Sequence, residues 1–378
     1  MNEWWNTLEN EAQVLLLVAA VSLIGLLFFY LFFFLRIALH KNPEPPRSGL
    51  PSLSVVICAR NEAENIIDFL PKVLAQDYPD FEVIVVNDAS WDGTDDELAE
   101  LDKTHDHLRV VTIEEHIKHR PGKKFPLTLG IKKAKNEHLV FTDADCYPAS
   151  ERWLQHIAAE FAEGHEIVIA PGPYATGKGF LNALIRFEGL QTGALFLSLA
   201  LAGIPYMGVG RNLAYRKSAY NRVGGFKKHY HIMSGDDDLF VQAAATVKNT
   251  GVCTHLDALV FSPTADSWKT WWNQKMRHYS TSSHYKWGFK ILLGLYPLFI
   301  LSFFVAAISL LVYEKTQHIA LAGIGVKLIA QLAIFRLVFS AQNDRWIWLF
   351  SPILELVLLI NQIVVALVGM FSKQSRWK

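Results

Sequence analysis

Two aspartates separated by one residue, Asp143 and Asp145, end the apolar run in the segment LVFTDADCYP, residues 139–148. Carboxylate oxygens are the ligands that Mg²⁺ and Mn²⁺ prefer, and substrate phosphates commonly complete the coordination shell of such an ion. A D-x-D pair is therefore typical of an enzyme that handles a phosphorylated substrate. The alternative interpretation is a strand that closes into a solvated turn, and the pair alone is compatible with both.

Further polar groups occur elsewhere in the chain. Asp88 ends the run FEVIVVND and precedes the polar turn ASWDGT, Lys123 precedes another apolar stretch, and residues 236–238 are three consecutive aspartates. A carboxylate can accept hydrogen bonds from a base or ribose, and a lysine can reach an anionic ligand. Repulsion among adjacent carboxylates raises the pKa of one of them, which makes it a better general base. The alternative for the three aspartates is the charged start of a helix.

These residues share a place in the predicted fold. Four apolar, β-branched runs that alternate with helical stretches predict strands, at residues 53–59, 81–88, 108–113 and 137–143. Such alternation is typical of a parallel sheet covered on both faces, whose ligands bind beyond the carboxyl ends of the strands. Because Asp88, Asp143 and Asp145 all lie at strand ends, the sequence predicts one shared site.

Long apolar segments flank this α/β region. Residues 14–35 carry no charge and are long enough to cross a bilayer core of about 30 Å. Acidic residues precede this segment and basic residues follow it, which places the N-terminus outside and the rest of the chain inside. We predict an anchor at residues 1–40, a cytoplasmic domain at 48–290 and about three membrane helices at 291–371, in an inner or plasma membrane.

The C-terminal segments raise a topological conflict. Three spans are predicted there, at residues 291–313, 319–339 and 346–371. Lys327, Arg336 and Glu355 lie within them, and ionisable groups at that depth usually face protein or a wet cavity. Four spans in all would leave the basic tail SKQSRWK outside, so either the last segments are re-entrant or the positive-inside tendency fails here. The apolar stretch 194–206 is too short to span, and is either a core helix or an interfacial one.

Composition argues against some functions. The chain has 36 basic and 36 acidic residues, so bulk charge does not favour nucleic-acid binding. The three cysteines, Cys58, Cys146 and Cys253, have no C-x-x-C spacing and are predicted to be cytosolic. We therefore predict neither a disulfide nor a cysteine-based zinc site.

Over roughly residues 50–280 the chain resembles the inverting glycosyltransferases of family 2, which have the GT-A fold. SVVICARNEAENI resembles the opening strand and turn of that family, and NDASWDGT resembles its nucleotide-binding motif. GKKFPLTLGIKKAKNEHLVFTDADCYP is similar to its GK-x-x-A-L-N-x-G-I…DAD-x-x-P pattern, with Pro126 and Thr128 in place of the usual alanine and asparagine. The resemblance implies a Rossmann-like GT-A domain that binds Mg²⁺ or Mn²⁺ and a nucleotide-sugar, in the first place a UDP-sugar.

The resemblance also implies roles for individual residues. Asp145 is implied as a more direct metal ligand than Asp143. Donor contacts are implied for Ala59, Asn61, Glu62, Asp88, Lys123, Asp143 and Arg211.

The run of three aspartates resembles the part of the family that carries the catalytic base. GVGRNLAYRKSAYNRVGGF resembles the acceptor-side segment, and HIMSGDDDLFVQAA stands where the family has E-D-x-D-L, with Gly235 replacing the glutamate. Aligning the leucine with Leu239 implies that Asp236 is the base that removes the proton of the acceptor hydroxyl. Asp237 remains an alternative.

The segment WWNQKMRHY is similar to the Q-x-x-R-W motif of membrane glycosyltransferases. Gln274 and Arg277 keep its spacing on one helix face, while His278 replaces the tryptophan. The resemblance implies that Arg277 neutralises the departing diphosphate and that Trp271 or Trp272 lines the acceptor site. The alternative is an aromatic helix at the membrane surface.

The combination of an anchor, a central domain and C-terminal spans is similar to ceramide glucosyltransferase-like lipid glycosyltransferases. It implies inverting transfer from a nucleotide-sugar to a membrane lipid at the cytosolic face. The alternatives are a polysaccharide synthase, a nucleotidyltransferase, and a transporter or scaffold with a degenerate transferase domain. A degenerate domain is expected to lose some of its carboxylates, and this chain retains Asp88, Asp143, Asp145 and Asp236.

Overall fold

The computed structural model describes residue 5 and residues 8–46, 48–114 and 122–371. The basic tail from residue 372 onward, on which the predicted topological conflict rests, lies outside the described residues.

A seven-stranded sheet forms the centre of the α/β domain, in the order β3-β2-β1-β4-β7-β6-β8. Its strands are β1 (Leu53–Ala59), β2 (Phe81–Asp88), β3 (Leu108–Ile113), β4 (His138–Asp143), β6 (Ile167–Ile169), β7 (Leu213–Arg216) and β8 (Thr250–Val252). A small second sheet pairs β5 (Tyr147–Pro148) with β9 (Val260–Phe261) in antiparallel fashion.

The predicted parallel sheet is confirmed for β1 to β4, and β7 adds a strand that was not predicted. Strands β1 to β4 pair in parallel, whereas β7 is antiparallel to both of its neighbours, β4 and β6. The direction of a strand depends on where the chain re-enters the sheet, and a short run such as LAYR carries no signal for it. The sheet is therefore mixed, with its parallel half at the predicted site.

Helices cover both faces of the sheet. They are α2 (Ala63–Leu74), α3 (Thr94–Asp102), α4 (Lys124–Lys133), α5 (Trp153–Ala162), α6 (Gly179–Leu201), α7 (Lys217–Arg222) and α8 (Asp238–Ala244). Helix α4 packs closely on β1 and β2 because it has Gly130 at the contact. A Cβ atom there would lie 2.5 Å from Val56 Cγ1 and 3.1 Å from Val86 Cγ2. This packing fixes the start of α4, and with it Lys123, beside the strand ends.

Within the described residues, five helices are long and apolar enough to cross a membrane, which indicates membrane association. Four of them bury 22–28% of their most apolar window: α1 (Asn10–Leu39), α10 (Trp287–Leu310), α11 (Gln317–Ser340) and the segment Ile347–Gly369, which contains most of α12 (Ser351–Phe371). Helix α6 differs because 61% of its window is buried. This burial agrees with the core alternative for the stretch 194–206, whose first part is the end of α6.

Side chains near the middle of these helices form a buried polar network. Lys327 Nζ pairs with Glu355 and donates to Gln331 Oε1 at 2.6 Å, while Tyr296 Oη donates to Glu355 Oε1 at 2.7 Å. Lys327 and Glu355 thus face protein, as predicted for charges at this depth. Arg336 does not, since it is exposed near the end of α11 with its guanidinium 5.7 Å from the Trp348 ring.

The last helix begins and ends on the side of the α/β domain. In the segment that leads into α12, Asp344 pairs with Arg186 of α6, and Gln342 Nε2 donates to Leu190 O at 3.2 Å. At its other end Gly369 packs on Tyr279 of α9 (Trp268–Ser282), where a Cβ atom would lie 2.4 Å from the ring. The α10–α11 connection lies at the opposite end of the bundle, since Tyr313 Oη donates to Glu11 Oε2 at 3.0 Å near the start of α1.

Candidate active site

One cavity of about 1030 Å³ opens at the carboxyl ends of the parallel strands. The predicted site residues that line it are Ala59, Glu62, Asp88, Lys123, Asp143, Asp145, Arg211, Asp236, Asp237, Gln274 and Arg277. The structure therefore brings together side chains that lie far apart in the sequence. The outermost two, Ala59 and Arg277, are almost 220 positions apart.

Asn61 is the one predicted site residue that does not line this cavity. It has a positive φ of 56°, its backbone N–H donates to Ser90 Oγ at 2.9 Å, and its Oδ1 accepts from Trp91 N at 3.0 Å. These bonds join the loop after β1 to the loop after β2. Asn61 thus holds the two loops together.

Asp88 lies in the wall of the cavity at the end of β2 and is 1% exposed. Arg60 Nη1 is 3.4 Å from Asp88 Oδ2, and the Arg60 guanidinium lies 5.7 Å from the Trp91 ring. A buried carboxylate, a cation and an exposed aromatic ring thus stand side by side. This set can bind the polar edge and the flat face of a nucleobase.

The two aspartates of the D-x-D pair have different electrostatic surroundings. Desolvation opposes the ionisation of Asp143, but the ammonium of Lys123, which is hydrogen-bonded to it, holds its pKa below the ordinary value. Desolvation and the neighbouring charge of Asp143 raise the pKa of Asp145. Asp145 Oδ1 accepts only a weak hydrogen bond from Cys146 Sγ, at 3.3 Å, among the described residues. Among the described residues, Asp145 therefore has no cation in direct contact with its carboxylate.

This donor set fits a hard divalent cation through its carboxylates. Asp143, Asp145 and Cys146 each place one donor atom within 4.8 Å of the others. Oxygen ligands suit Mg²⁺ and Mn²⁺, and Asp145 supplies them without a competing ammonium. Burial and the Asp145 carboxylate raise the pKa of the Cys146 thiol well above its ordinary value, so the thiolate that a metal needs is disfavoured.

Arg211 adds a fixed positive charge beside the D-x-D pair. Its Nε donates to Gly172 O at 2.8 Å, and its guanidinium lies 4.6 Å from the Tyr174 ring. A Cβ atom on Gly172 would lie 2.5 Å from Arg211 Nε, so the glycine is what permits this approach. Held in this way, Arg211 can meet an anionic group without losing side-chain freedom on binding.

The three consecutive aspartates have different partners. Asp237 accepts hydrogen bonds from Gly210 N at 2.9 Å and from Asp238 N at 2.7 Å. Asp238 accepts from Tyr285 Oη at 2.6 Å and from Leu239 N at 2.7 Å. Asp236 makes no hydrogen bond to any described residue and lines the cavity. It is therefore the one of the three that is available to a substrate hydroxyl.

Gly235 permits this arrangement. It has a φ of +90°, and a Cβ atom there would lie 2.6 Å from Leu239 Cδ1. The glutamate that the family pattern carries at this position would not fit the same backbone. The replacement is thus a consequence of the local turn.

Helix α9 brings Gln274 and Arg277 to the cavity, as their spacing predicts. His278 also lines it. Neither Trp271 nor Trp272 is among the lining residues, so the predicted acceptor role of these tryptophans is wrong for this cavity. Trp271 is 2% exposed and donates from Nε1 to Glu188 Oε2 at 3.1 Å, which fixes α9 on α6.

Sequence reasoning missed two residues that position the aspartates. Lys124 Nζ donates to the carbonyl oxygens of His229, Ile232 and Ser234, at 2.6, 3.0 and 2.7 Å, and so holds the segment before residue 236. Tyr285 fixes Asp238 from the start of α10. Neither had a usable signal, since Lys124 is one of two adjacent lysines and Tyr285 one of many aromatics beside the membrane.

The cavity continues between the apolar helices α10 and α12. Its apolar lining there consists of Leu293, Pro297, Ile300, Leu358, Leu359, Val365 and Ala366. Tyr296 and Glu355 of the buried network, and Asn361 and Gln362, add polar groups to the same wall. Gly294 and Gln362 line the cavity and are solvent-exposed. One space therefore joins the carboxylates to the helices that are suited to a membrane.

Known proteins are similar to parts of this chain. Residues 54–224 match the family described as Glycosyl transferase family 2. Glycosyltransferase AglE of Haloferax volcanii is 36% identical over 193 residues, which are 50% of this chain and 60% of that protein. The poly-beta-1,6-N-acetyl-D-glucosamine synthase of Staphylococcus aureus is 30% identical over 123 residues, which are 32% of this chain and 29% of that protein. The chain thus spans less than two thirds of either relative.

Among solved structures, the mannosyltransferase PcManGT from Pyrobaculum calidifontis, in complex with GDP-Man and Mn²⁺, is similar with a TM-score of 0.58. The sequences are 20% identical, and the match covers 88% of this chain and 97% of that one. This likeness confirms the predicted GT-A fold.

Asp237 gives the stability of the protein a specific pH dependence. Desolvation, with the charges of Asp238 and Asp236, raises its pKa from 3.8 to about 8. The folded protein therefore keeps a proton that the unfolded chain loses, so stability should fall by up to about 1.4 kcal/mol per unit as pH rises toward 8. Asp237→Asn removes this titration, and its melting temperature in detergent should gain on the wild type between pH 5 and 8.

The matched control is Asp96→Asn, an exposed aspartate that carries the same change of charge. Its melting temperature should follow the wild type across this range. If the melting temperatures of the wild type and of Asp237→Asn differ by the same amount at all pH values, the pKa of Asp237 is not raised.

Proposed function

We propose that this chain, whose residues 54–224 match Glycosyl transferase family 2, transfers one sugar from a nucleotide-sugar to a lipid acceptor that reaches the site from the membrane. The observation that carries this proposal is the continuity of the cavity, from the carboxylates at the strand ends to the apolar walls of α10 and α12. A soluble sugar acceptor would not need the apolar part of the cavity between α10 and α12.

The donor is proposed to bind along the strand ends. Asp88 and Arg60 take the base and ribose, while Lys123, Arg211 and Arg277 offer cations to the diphosphate. The sequence motifs predict a uridine nucleotide, whereas the mannosyltransferase with the same fold was solved with GDP-Man. A donor panel must therefore contain both kinds of nucleotide.

A divalent ion is proposed to bind with Asp145 as its principal protein ligand and Asp143 beside it. When bound, such an ion would neutralise the diphosphate of the donor. Residues of this chain would hold the ion and the phosphate groups in position. Lys123 keeps Asp143 ionised, and the fixed guanidinium of Arg211 orients the phosphate oxygens.

Asp236 is proposed as the general base of an inverting reaction. It would accept the proton of the acceptor hydroxyl as the oxygen attacks the anomeric carbon, and the bond to the diphosphate would break on the opposite side. Its neighbours are occupied by Gly210 N and Tyr285 Oη, so Asp236 is the member of the cluster that can meet a substrate. Arg277 and Gln274 would receive the departing diphosphate.

The structure suggests a topology that removes the predicted conflict. Because α12 begins and ends near the α/β domain, we propose that it lies along the inner face of the membrane and does not cross it. Helices α1, α10 and α11 then make three crossings. With the N-terminus outside, both the catalytic domain and the basic tail lie in the cytosol, as the positive-inside tendency requires.

A polysaccharide synthase is the second candidate, because one of the relatives is named as such. The membrane-facing half of the cavity could then guide a polymer. A degenerate transferase domain in a transporter or scaffold has less support, since all the predicted carboxylates are retained in one cavity.

The proposed base gives a mutational prediction. Asp236→Asn should lower kcat by about 10²–10⁴-fold, the usual contribution of a general base, and leave the Kd of the nucleotide-sugar within about twofold. Asp237→Asn keeps an acceptor for Gly210 N and should lose less than about tenfold. Turnover is measured with labelled donor, and donor affinity by equilibrium binding. If Asp237→Asn lowers kcat more than Asp236→Asn does, Asp237 is the general base.

The proposed acceptor gives a prediction about the product. Labelled UDP-sugars and GDP-sugars are incubated with membranes that contain the protein, and the products are separated into lipid, polymer and soluble fractions. Label should enter the lipid fraction as one sugar per acceptor. Membranes with Asp236→Asn are the control. Label in a polymer that lengthens with time would contradict the lipid proposal and support the synthase alternative.

The proposed topology is tested by labelling from the two sides of the membrane. Val247→Cys reports the side of the α/β domain, and Val312→Cys reports the α10–α11 connection, both positions being highly exposed. An impermeant thiol reagent should distinguish these two sites in sealed vesicles. A C-terminal epitope tag should be accessible from the same side as Val247→Cys. Accessibility together with Val312→Cys would show that α12 crosses the membrane.

A further inference from the structure

A group of basic side chains lies beside the active-site cavity, where α10 begins. It consists of four lysines and two histidines from two separate parts of the chain: Lys227, Lys228, His231, His284, Lys286 and Lys290. We call these six residues the basic rim. Lys290 itself lines the cavity, and so does Ser283, which precedes His284.

The two parts of the basic rim meet at its histidines. The rings of His231 and His284 have centroids 6.2 Å apart. His229, two residues before His231, is close to both parts, because its pKa is lowered by burial and then by nearby cations of both. Those cations are Lys124, His231, His284 and Lys228. Residues that are distant in sequence therefore form one basic surface.

The charge of the basic rim is not compensated locally. The chain has 36 basic and 36 acidic residues, yet residues 217–235 and 267–313 contain no aspartate or glutamate. Lys286 Nζ donates to Gln242 O, and Lys290 Nζ donates to Ser283 O at 2.6 Å, so both lysines meet neutral carbonyl groups. Among the described residues, no carboxylate forms an ion pair with any of the six. All members except Lys290 are exposed.

The basic rim adjoins the apolar surface of α10. Trp287, the first residue of this helix, is 77% exposed, and Lys290 Nζ lies 4.8 Å from the centroid of its ring. Ile291 follows with 63% exposure, and α10 as a whole is long and apolar enough to cross a membrane. An exposed tryptophan at the end of such a helix is typical of the level of the lipid headgroups. Lys286 and Lys290, on either side of Trp287, are thus at the depth of the lipid phosphates.

We propose that the basic rim binds the headgroups of anionic phospholipids in the leaflet that α10 enters. A cluster of four or more lysines or arginines beside a membrane helix attracts such lipids. In a zwitterionic lipid an ammonium group accompanies the phosphate, so the net charge of the headgroup lets a lysine-rich surface distinguish the two lipid classes. The partner is a membrane surface and not a free anion, because the lysines continue into the apolar face of α10.

The bound lipids stabilise the segment that leads to Asp236. From inside the protein, Lys124 Nζ already holds this segment through the carbonyl oxygens of His229, Ile232 and Ser234. The exposed side chains of Lys227, Lys228 and His231 belong to the same segment, and anionic headgroups hold it from the other side. This contact takes no part in the transfer reaction and is the same for any acceptor.

The test is a lipid titration of the full-length, detergent-purified protein at low salt, with the melting temperature as the measurement. Phosphatidylglycerol is added to the micelles in increasing mole fraction. Phosphatidylcholine with the same acyl chains, and inorganic phosphate, are added to parallel samples. Phosphatidylglycerol should raise the melting temperature well beyond the effect of phosphatidylcholine, because a ligand that binds the folded state stabilises it. Inorganic phosphate should not reproduce this rise.

A double variant of the basic rim tests the place of binding. Each lysine near an anionic surface contributes about fivefold to affinity. In Lys227→Gln/Lys228→Gln, the mole fraction of phosphatidylglycerol that gives half of the maximal rise should therefore increase by about 10–30-fold. Both positions are exposed, so the variant should fold, and its melting temperature without lipid should equal that of the wild type.

The matched control is Lys132→Gln/Lys133→Gln, which removes the same charge from two adjacent exposed lysines at the far end of α4. Its half-maximal mole fraction should stay within about twofold of the wild type. The proposal is overturned if phosphatidylcholine stabilises the wild type as much as phosphatidylglycerol does, or if inorganic phosphate alone reproduces the rise. It is also overturned if the basic-rim variant responds like the wild type, or if the control variant loses the response to the same extent.

Discussion

The convergence of carboxylates in one recessed cavity is the constraint to which the rest of the site responds. Asp143, Asp145 and Asp236 would repel one another strongly in a low dielectric unless cations compensate them. Lys123 supplies one of these compensating positive charges. Although burial disfavours its charge, the carboxylates Asp143 and Asp236 hold the pKa of Lys123 above its ordinary range. The close packing of α4, through Gly130, puts this lysine in position. The remaining negative charge is centred on Asp145. A bound divalent ion would neutralise it.

The same constraint separates the roles of three adjacent aspartates. Asp237 and Asp238 are held by backbone N–H groups and by Tyr285, so their oxygens serve the structure of the turn and of α8. Asp236 lines the cavity, and its carboxylate oxygens accept no hydrogen bond from a described residue. Three identical side chains thus acquire different chemistry from their hydrogen-bond partners.

Much of this architecture could be predicted where the signal is local. Strands β1 to β4 have the predicted bounds to within a residue, because each is a continuous apolar run, and the polar residues after them do share a cavity. Features that depend on distant parts of the chain could not be predicted. The direction of β7, the loop-joining bonds of Asn61 and the burial of Trp271 against Glu188 are set by elements far away in sequence. The orientation of the last helix is of the same kind, since hydropathy reports length and not direction.

The long apolar helices form part of the cavity wall. Helix α9 carries Gln274 and Arg277, and its Tyr279 packs on Gly369 of α12 so closely that no side chain would fit between them. At the other end of the cavity, the pair formed by Lys327 and Glu355 ties α11 to α12, and breaking such a buried pair costs about 3–5 kcal/mol. The position of α12 is therefore determined from both ends. Because this one helix supports α9 and also lines the apolar half of the cavity, the position of Arg277 and the width of that apolar half cannot vary independently.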